Sequence, residues 1–173
     1  MNLVDDCIYN KFYGSKYIFL FLYVDDILLA SSDIGLLYGT KRFLTKNFEM
    51  KDLGDASFVL GIQIHWDRSR DILGLSQKSY IETILKRYGI EDCKPGDSFV
   101  AKGDKFSLNQ CPKNDFKEKE MQKIPYASAV GSLMYAQVCM RLDIAYITEI
   151  LDRYLSTAGV YHWKAAKWVL RYL

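Results

Sequence analysis

The chain has 173 residues, half of them apolar and 14% aromatic, and its 23 Lys plus Arg nearly balance 21 Asp plus Glu for a formal net charge of +2. Such a length and apolar share support one substantial domain or two small ones and exclude a disordered or fibrous chain. The balanced charge provides no general attraction to polyanions, so any nucleic-acid contact must come from local basic patches.

The first informative stretch is KYIFLFLYVDDILLASSD, residues 16–33, in which Asp25 and Asp26 sit between two nearly unbroken apolar runs. Each run has the length and the aromatic and branched composition of a buried strand, which places the acidic pair at or beside the bend of a β-hairpin. Two adjacent carboxylates repel each other and resist desolvation; a divalent cation or a basic cluster would let both stay charged. A solvated turn is the competing explanation, because Asp is common in turns. Asp5 and Asp6 repeat a Val-Asp-Asp string without the long apolar flanks and are assigned no function.

Next, SSDIGLLYGTKRFLTKNF carries capping residues Ser31, Ser32 and Asp33 ahead of Ile34, Leu37, Leu44 and Phe48 at helical spacing, which predicts a helix. In SFVLGIQIHW, Phe58, Leu60, Ile62, Ile64 and Trp66 alternate with Val59, Gly61, Gln63 and His65, the pattern of a strand with one buried face. The polar break DRSRD and the short strand ILGLS complete a second hairpin. QKSYIETILKRYG follows as a helix, apolar at Tyr80, Ile81, Ile84, Leu85 and Tyr88, with Gly89 as its stop.

From Glu91 to Pro125 the chain is rich in charge, Gly and Pro with little periodicity, and is expected to be an extended connector and a module boundary. The remainder is helical in pattern. In its last segment Trp163, Ala166, Leu170 and Leu173 share one face while Lys164, Lys167 and Arg171 share a neighbouring one. The pattern runs to Leu173 without a cap, which leads us to expect truncation.

The four cysteines form no CxxC pair and only two histidines, His65 and His162, accompany them, so reduced structural thiols are expected in place of a zinc site. No stretch reaches the roughly 18–20 apolar residues of a bilayer span, and the first residues are acidic where a secretory signal is basic. A soluble, non-secreted chain is the expectation.

Tyr23-Val24-Asp25-Asp26 between apolar strands resembles the YxDD catalytic hairpin of reverse transcriptases, and the surrounding sequence is similar to their copia-type retrotransposon branch. The likeness continues through FEMKDLGDASFVLGIQI (48–64), LSQKSYIETILKRYGIEDCKP (75–95) and PYASAVGSLMYAQ (125–137), in the family's order and spacing. It implies an α+β fold: the C-terminal part of a palm over 1–75, a thumb helix over 76–90, the polar connector over 91–125, and a helical connection over 126–173 that precedes a ribonuclease H module. It further implies two Mg²⁺ ions (Mn²⁺ is possible), with Asp25 a direct ligand and Asp26 a neighbouring, partly redundant one. Tyr23 and Val24 would border the primer terminus and the incoming nucleotide. Phe58, Leu60, Gly61 and Ile62 would form a primer grip, and Lys78, Lys86 and Arg87 are weaker candidates for backbone phosphate contacts. Partners implied are an RNA or DNA template with its primer, a deoxynucleoside triphosphate and the other modules of the polyprotein. The implied location is intracellular, in a cytoplasmic virus-like particle.

Two departures from the family stand out. A further catalytic aspartate and the fingers lie well upstream in the family, and this chain begins too late to contain them, so by itself it is expected to be inactive. Near the C-terminus MRLDIA and STAG stand in place of the family's TRPDIA and NPG turn, with Leu142, Thr157 and Ala158 as the substitutions. The alternative to a polymerase fragment is therefore a catalytically dead transposon relic, at most a weak nucleic-acid-binding or interaction module.

Overall fold

A computed structural model of the chain describes residues 5–94 and 106–173. The part of the expected connector that spans 95–105 lies outside the described residues. Six helices and two antiparallel three-stranded sheets make the fold α+β, as the resemblance implies. Two compact units divide it, Met1–Ala56 and Ser57–Leu173.

The first unit is a meander of β1 (Ile8–Tyr13), β2 (Lys16–Tyr23) and β3 (Asp26–Ser31), followed by α1 (Ile34–Asn47). Gly14, at φ +61°, opens the two-residue turn that pairs Tyr13 with Lys16; glycine adopts that left-handed conformation without steric cost. The two-residue period of β2 puts Tyr17, Phe19 and Phe21 on one face. Their rings meet at 5.6 and 6.2 Å, and Phe12 across the β1 pairing joins them. Such aromatic contacts add about 0.5–1.5 kcal/mol each beyond their buried area. Asp33 caps α1: its Oδ1 accepts from the Leu36 N–H at 2.9 Å, and Lys16 Nζ lies 2.5 Å from its Oδ2. The Lys16 hydrogen bond, then the Leu36 amide, hold this carboxyl below the usual carboxylate range.

The strands flanking Asp25 and Asp26 are expected to be fully buried, and they are not. Ile18 is the one buried residue of β2 and β3; the others are half-buried or exposed. The reason is geometric, since the sheet is a single layer and α1, which packs against β2 and β3, buries none of its own residues.

The second unit starts with β4 (Phe58–Val59), β5 (Ile62–Asp67) and β6 (Ile72–Ser76), followed by α2 (Lys78–Arg87). The continuous strand expected over 58–66 is broken. Leu60 and Gly61 both have positive φ, +49° and +72°, and form a two-residue turn that folds Phe58 back on Gln63. Two left-handed central residues are the signature of a type I′ hairpin turn. The break also ends the single buried face, leaving Phe58, Leu60 and Trp66 56%, 43% and 59% exposed. The second expected hairpin, β5 to β6, is present, with Asp67 accepting from Ser69 and Arg70 in its turn. Gly89 stops α2 as expected: its N–H donates to the Lys86 carbonyl and the Ile90 N–H to that of Leu85, while Ile90 is buried.

A helical core follows in α3 (Asp115–Gln122), α4 (Tyr126–Cys139), α5 (Ala145–Asp152) and α6 (Val160–Tyr172), with 3-10 turns at Leu108–Gln110 and Leu142–Ile144. Val130, Leu133, Ile144, Ile147, Leu151, Val169 and Leu170 are completely buried, each stabilising the fold by about 1.5–3 kcal/mol. Ala129, Ala136 and Ala166, equally buried, let the helices approach closely. The Tyr126 hydroxyl, raised in pKa by burial, donates to the Leu151 carbonyl at 2.8 Å.

An extended connector over 91–125 does not describe residues 106–125. Met121 is buried, and Phe106 and Ile124 pack on the same core. Asn114 caps α3 by accepting from the Lys117 N–H. These three apolar residues are too widely spaced to register as a helix face, yet they close one side of the core. The boundary between units falls at residues 56 and 57 and not within 91–125.

Both C-terminal departures are accommodated. Leu142 opens a 3-10 turn and is 75% exposed, a first position at which proline's missing N–H is harmless and leucine serves as well. Beside it the Arg141 guanidinium grips Asp143 with two bonds of 3.0 and 2.8 Å, holding that carboxyl down at about 2. The Thr157 N–H donates to the Tyr154 carbonyl, and Ala158 is buried. Next to it a Cβ on Gly159 would collide with the Gln110 carbonyl oxygen. His162, fully buried and stacked on Tyr154 at 4.1 Å, accepts the Gly159 N–H at Nδ1 and so caps α6.

Two outcomes follow. Gly159→Ala should destabilise the helical unit by about 1–3 kcal/mol through overpacking, read as a lowered urea midpoint. Burial depresses the His162 pKa below its ordinary 6.5, so the unfolded chain takes up that proton first as pH falls. Stability should be complete above about pH 6.5 and decline below it. Urea midpoints measured from pH 8 to 5 check this, and the decline in that window should shrink in His162→Gln.

Candidate active-site hairpin

Register builds this site. Six consecutive pairs, from Ile18 opposite Ser31 to Tyr23 opposite Asp26, join β2 to β3, and only Val24 and Asp25 remain to make the turn. The ladder leaves these two residues and no others, so the length of the turn is set by the pairing on either side of it. The consequence is visible at Val24, which has φ +51°. A β-branched residue rarely adopts that region, and strain of this kind costs on the order of 1–3 kcal/mol.

The turn presents Asp25 at its tip and Asp26 as the first residue of β3. Both are exposed, and neither has a hydrogen-bond or ion-pair partner among the described residues. The basic cluster that could have satisfied them is therefore absent among those residues. Tyr23 and Val24 are 56% and 80% exposed beside them. The other doublet behaves as a turn: Asp5 Oδ1 accepts from the Cys7 N–H at 2.8 Å, and the Cys7 carbonyl accepts from the Leu22 N–H. This second acidic turn stands at the same end of the sheet, with one of its carboxylates committed to the backbone.

Two unpartnered carboxylates suit a hard divalent cation. Mg²⁺ is commonly held by one or two carboxylates together with water and substrate phosphates. No group of three or more His, Cys, Asp or Glu that could hold a metal occurs among the described residues.

The Leu60–Gly61 turn is the second candidate element. Here the Tyr135 hydroxyl of α4 donates to the Leu60 carbonyl, and the Tyr80 ring of α2 lies edge-on to Tyr135 at 4.8 Å. The Tyr80 hydroxyl in turn donates to the Ser132 carbonyl at 3.1 Å. A Cβ on Gly61 would find Tyr135 atoms at 3.5 and 3.6 Å and Tyr80 at 3.8 Å, an ordinary contact, so its φ of +72° is what requires glycine. The neighbours of Gly61 are thus two tyrosine rings. Phe58 is exposed and Ile62 half-buried. Tyr135 carries no signal in the sequence, because no local spacing rule connects it to a turn 75 residues away.

Lys78, Lys86 and Arg87 are exposed on α2, in the second unit, whereas the acidic doublet belongs to the first. Lys78 lies 3.8 Å from Glu82, and Lys86 shares an open groove with Glu82 and Glu91, so this surface is mixed in charge. The four cysteines are free. No helix among the described residues is long and apolar enough to cross a membrane.

Val24→Asn should relieve the turn, since Asn tolerates left-handed backbone, and raise the stability of the first unit by about 1 kcal/mol. Tyr135→Phe should cost about 0.5–1.5 kcal/mol. Thermal melts check both, and hydrogen exchange at Ile62 and Gln63 localises the second.

Residues 2–101 match the family model of reverse transcriptase (RNA-dependent DNA polymerase). The chain is 45% identical over 170 residues to the retrovirus-related Pol polyprotein from transposon TNT 1-94 of Nicotiana tabacum, covering 98% of this chain and 13% of that one. It is 33% and 32% identical over 160 residues to the Pol polyproteins from transposons RE2 and RE1 of Arabidopsis thaliana, covering 92% of this chain and 10% of each. It thus spans about an eighth or less of the length of these relatives. No solved structure matches it. With more than half of its length matched by the family model and nearly all of it aligned to copia-like Pol polyproteins, the chain belongs to the reverse transcriptase family.

Proposed function

We propose that the chain is the part of a copia-type retrotransposon polyprotein that brings the Asp25–Asp26 carboxylates to an RNA-directed DNA polymerase site. The observation that carries this is the two-residue hairpin turn, in which a strained Val24 holds two exposed carboxylates, unpartnered among the described residues, at the end of a sheet. Strained backbone of this kind clusters at active sites, where the surrounding structure pays for it.

In this function Asp25 is a direct ligand of Mg²⁺ or Mn²⁺ and Asp26 its neighbour. When bound, such ions neutralise phosphate charge and stabilise the attacking and leaving oxygens of nucleotidyl transfer. In the reaction a primer 3′-hydroxyl, giving up its proton, attacks the α-phosphate of a deoxynucleoside triphosphate on an RNA or DNA template; the new ester bond replaces the α–β phosphoanhydride bond and pyrophosphate leaves. Tyr23 and Val24, exposed beside the carboxylates, form the floor on which primer terminus and nucleotide meet. The Leu60–Gly61 turn with Phe58 and Ile62 acts as the primer grip, and its anchoring by Tyr135 and Tyr80 supports a rigid positioning role. Residues 76–90 serve as thumb, with Lys78, Lys86 and Arg87 on its surface, and residues 126–173 as connection. Further ligands and the ribonuclease H module are supplied by the rest of the polyprotein, of which the relatives' lengths leave ample room.

The test is primer extension by the full-length polyprotein with Mg²⁺. Asp25→Asn should lower it at least about a thousandfold, a loss of several kcal/mol of charge stabilisation, with Asp26→Asn less severe. Thermal stability should not fall in either variant, because both side chains are exposed and have no partner among the described residues. Extension that survives Asp25→Asn would refute the assignment.

A further inference from the structure

The helix α6 has a face that the polymerase site does not use. From Arg153 to Leu173 the chain contains no Asp or Glu, whereas the whole chain is nearly balanced in charge. The buried stripe of α6 is His162, Ala166, Val169 and Leu170. At 3.6 residues per turn the arc away from that stripe carries Tyr161, Lys164, Lys167, Trp168 and Arg171, with exposed Val160 among them and Trp163 at its edge packed on the core; Arg171 is half-buried, with its Nε enclosed. Tyr161 and Trp168 are 64% and 52% exposed. Lys164 and Lys167 lie over the Tyr161 and Trp163 rings at 5.8 and 5.6 Å, and none of the three cations is ion-paired among the described residues.

We propose that this arc of α6 binds single-stranded nucleic acid, with Lys164, Lys167 and Arg171 on successive phosphates and Tyr161 and Trp168 as stacking platforms for bases. A positively charged track interleaved with exposed aromatic rings is the chemistry by which unpaired strands are held without regard to sequence. Charge complementarity selects a polyanion: three cations stand on a helix that has no carboxylate to neutralise them. An anionic membrane surface shares that charge, but the apolar stripe with which an amphipathic helix enters a bilayer is here committed to the protein core. RNA and DNA strands offer the same phosphates and base faces and are one ligand for this surface. The inference rests on the chain being part of a nucleic-acid polymerase, and its test is independent of Asp25.

The experiment is fluorescence anisotropy of a labelled oligothymidine titrated with the full 173-residue chain at several salt concentrations. Three phosphate contacts contribute a slope of log K against log salt of about −2. Lys164→Gln/Lys167→Gln should make the slope shallower by about 1.4. Trp168→Ala should weaken binding roughly five- to a hundredfold, and Trp168→Phe should restore most of it. Lys164 and Trp168 are exposed, so these variants should melt as the parent does; were Trp168→Ala to unfold, the lysine pair still decides. Binding that is unchanged in the lysine variant and in Trp168→Ala would overturn the proposal. So would binding to phosphatidylserine vesicles without binding to the oligonucleotide. Primer extension by the polyprotein, read through Asp25, stands or falls separately, so a failed α6 surface is distinguishable from a failed polymerase assignment.

Discussion

The pairing of Tyr23 with Asp26 is the constraint on which the first unit depends. An antiparallel ladder of six pairs, from Ile18 opposite Ser31 to Tyr23 opposite Asp26, sets the register of this hairpin. Once that ladder forms, a two-residue turn is the only connection left, and Val24 must accept a left-handed backbone. The cost of that conformation is met by the strands, and both carboxylates are held at the sheet's end without a partner among the described residues. A looser loop would avoid the strain but would let the doublet find backbone amides, as Asp5 does in its own turn with Cys7.

The second unit is held by a different physical principle. Its helices α4, α5 and α6 meet through completely buried aliphatic residues and alanines, while Tyr135 of α4 bonds to the turn between β4 and β5 and Tyr80 joins α2 to α4. Tyr135 and Tyr80 are the connection: their hydroxyls are spent on carbonyls of Leu60 and Ser132, and their rings flank Gly61. The turn therefore inherits the rigidity of the helical core. Arg141, which donates to Asp143 and to the Leu173 carbonyl, ties the end of α6 to the turn before α5 in a similar way. His162 and Gly159 fasten the beginning of α6 to the segment around Gln110.

The exposed chemistry divides by unit. Free carboxylates stand at the hairpin of the first, and a carboxylate-free helix face of cations and aromatic rings occupies the end of the second. The mixed charge around Lys78 and Lys86, with Glu82 and Glu91 nearby, makes α2 a weaker electrostatic surface than α6.

Local signals proved dependable where one element's own chemistry decides its form. The Asp doublet between apolar runs marked a hairpin, Asp33 marked the start of α1, and Gly89 the end of α2, because turns, caps and left-handed stops are set by residues within a few positions. The sequence motifs around the doublet were also enough to place the chain in its family. Long-range packing decided the rest. That Leu60–Gly61 is a turn and not the middle of a strand depends on Tyr135, 75 residues away. That residues 106–125 belong to the helical core depends on the distant residues against which Phe106, Met121 and Ile124 pack, which no local pattern announces. The limited burial beside Asp25 and Asp26 likewise depends on how many layers cover the sheet. Sequence by itself determined the hairpin, the helices and the family, since these rest on local geometry and motif. Only the tertiary structure decided which apolar residues are covered and which polar groups are left free, since burial is a property of what packs against a segment and not of the segment alone.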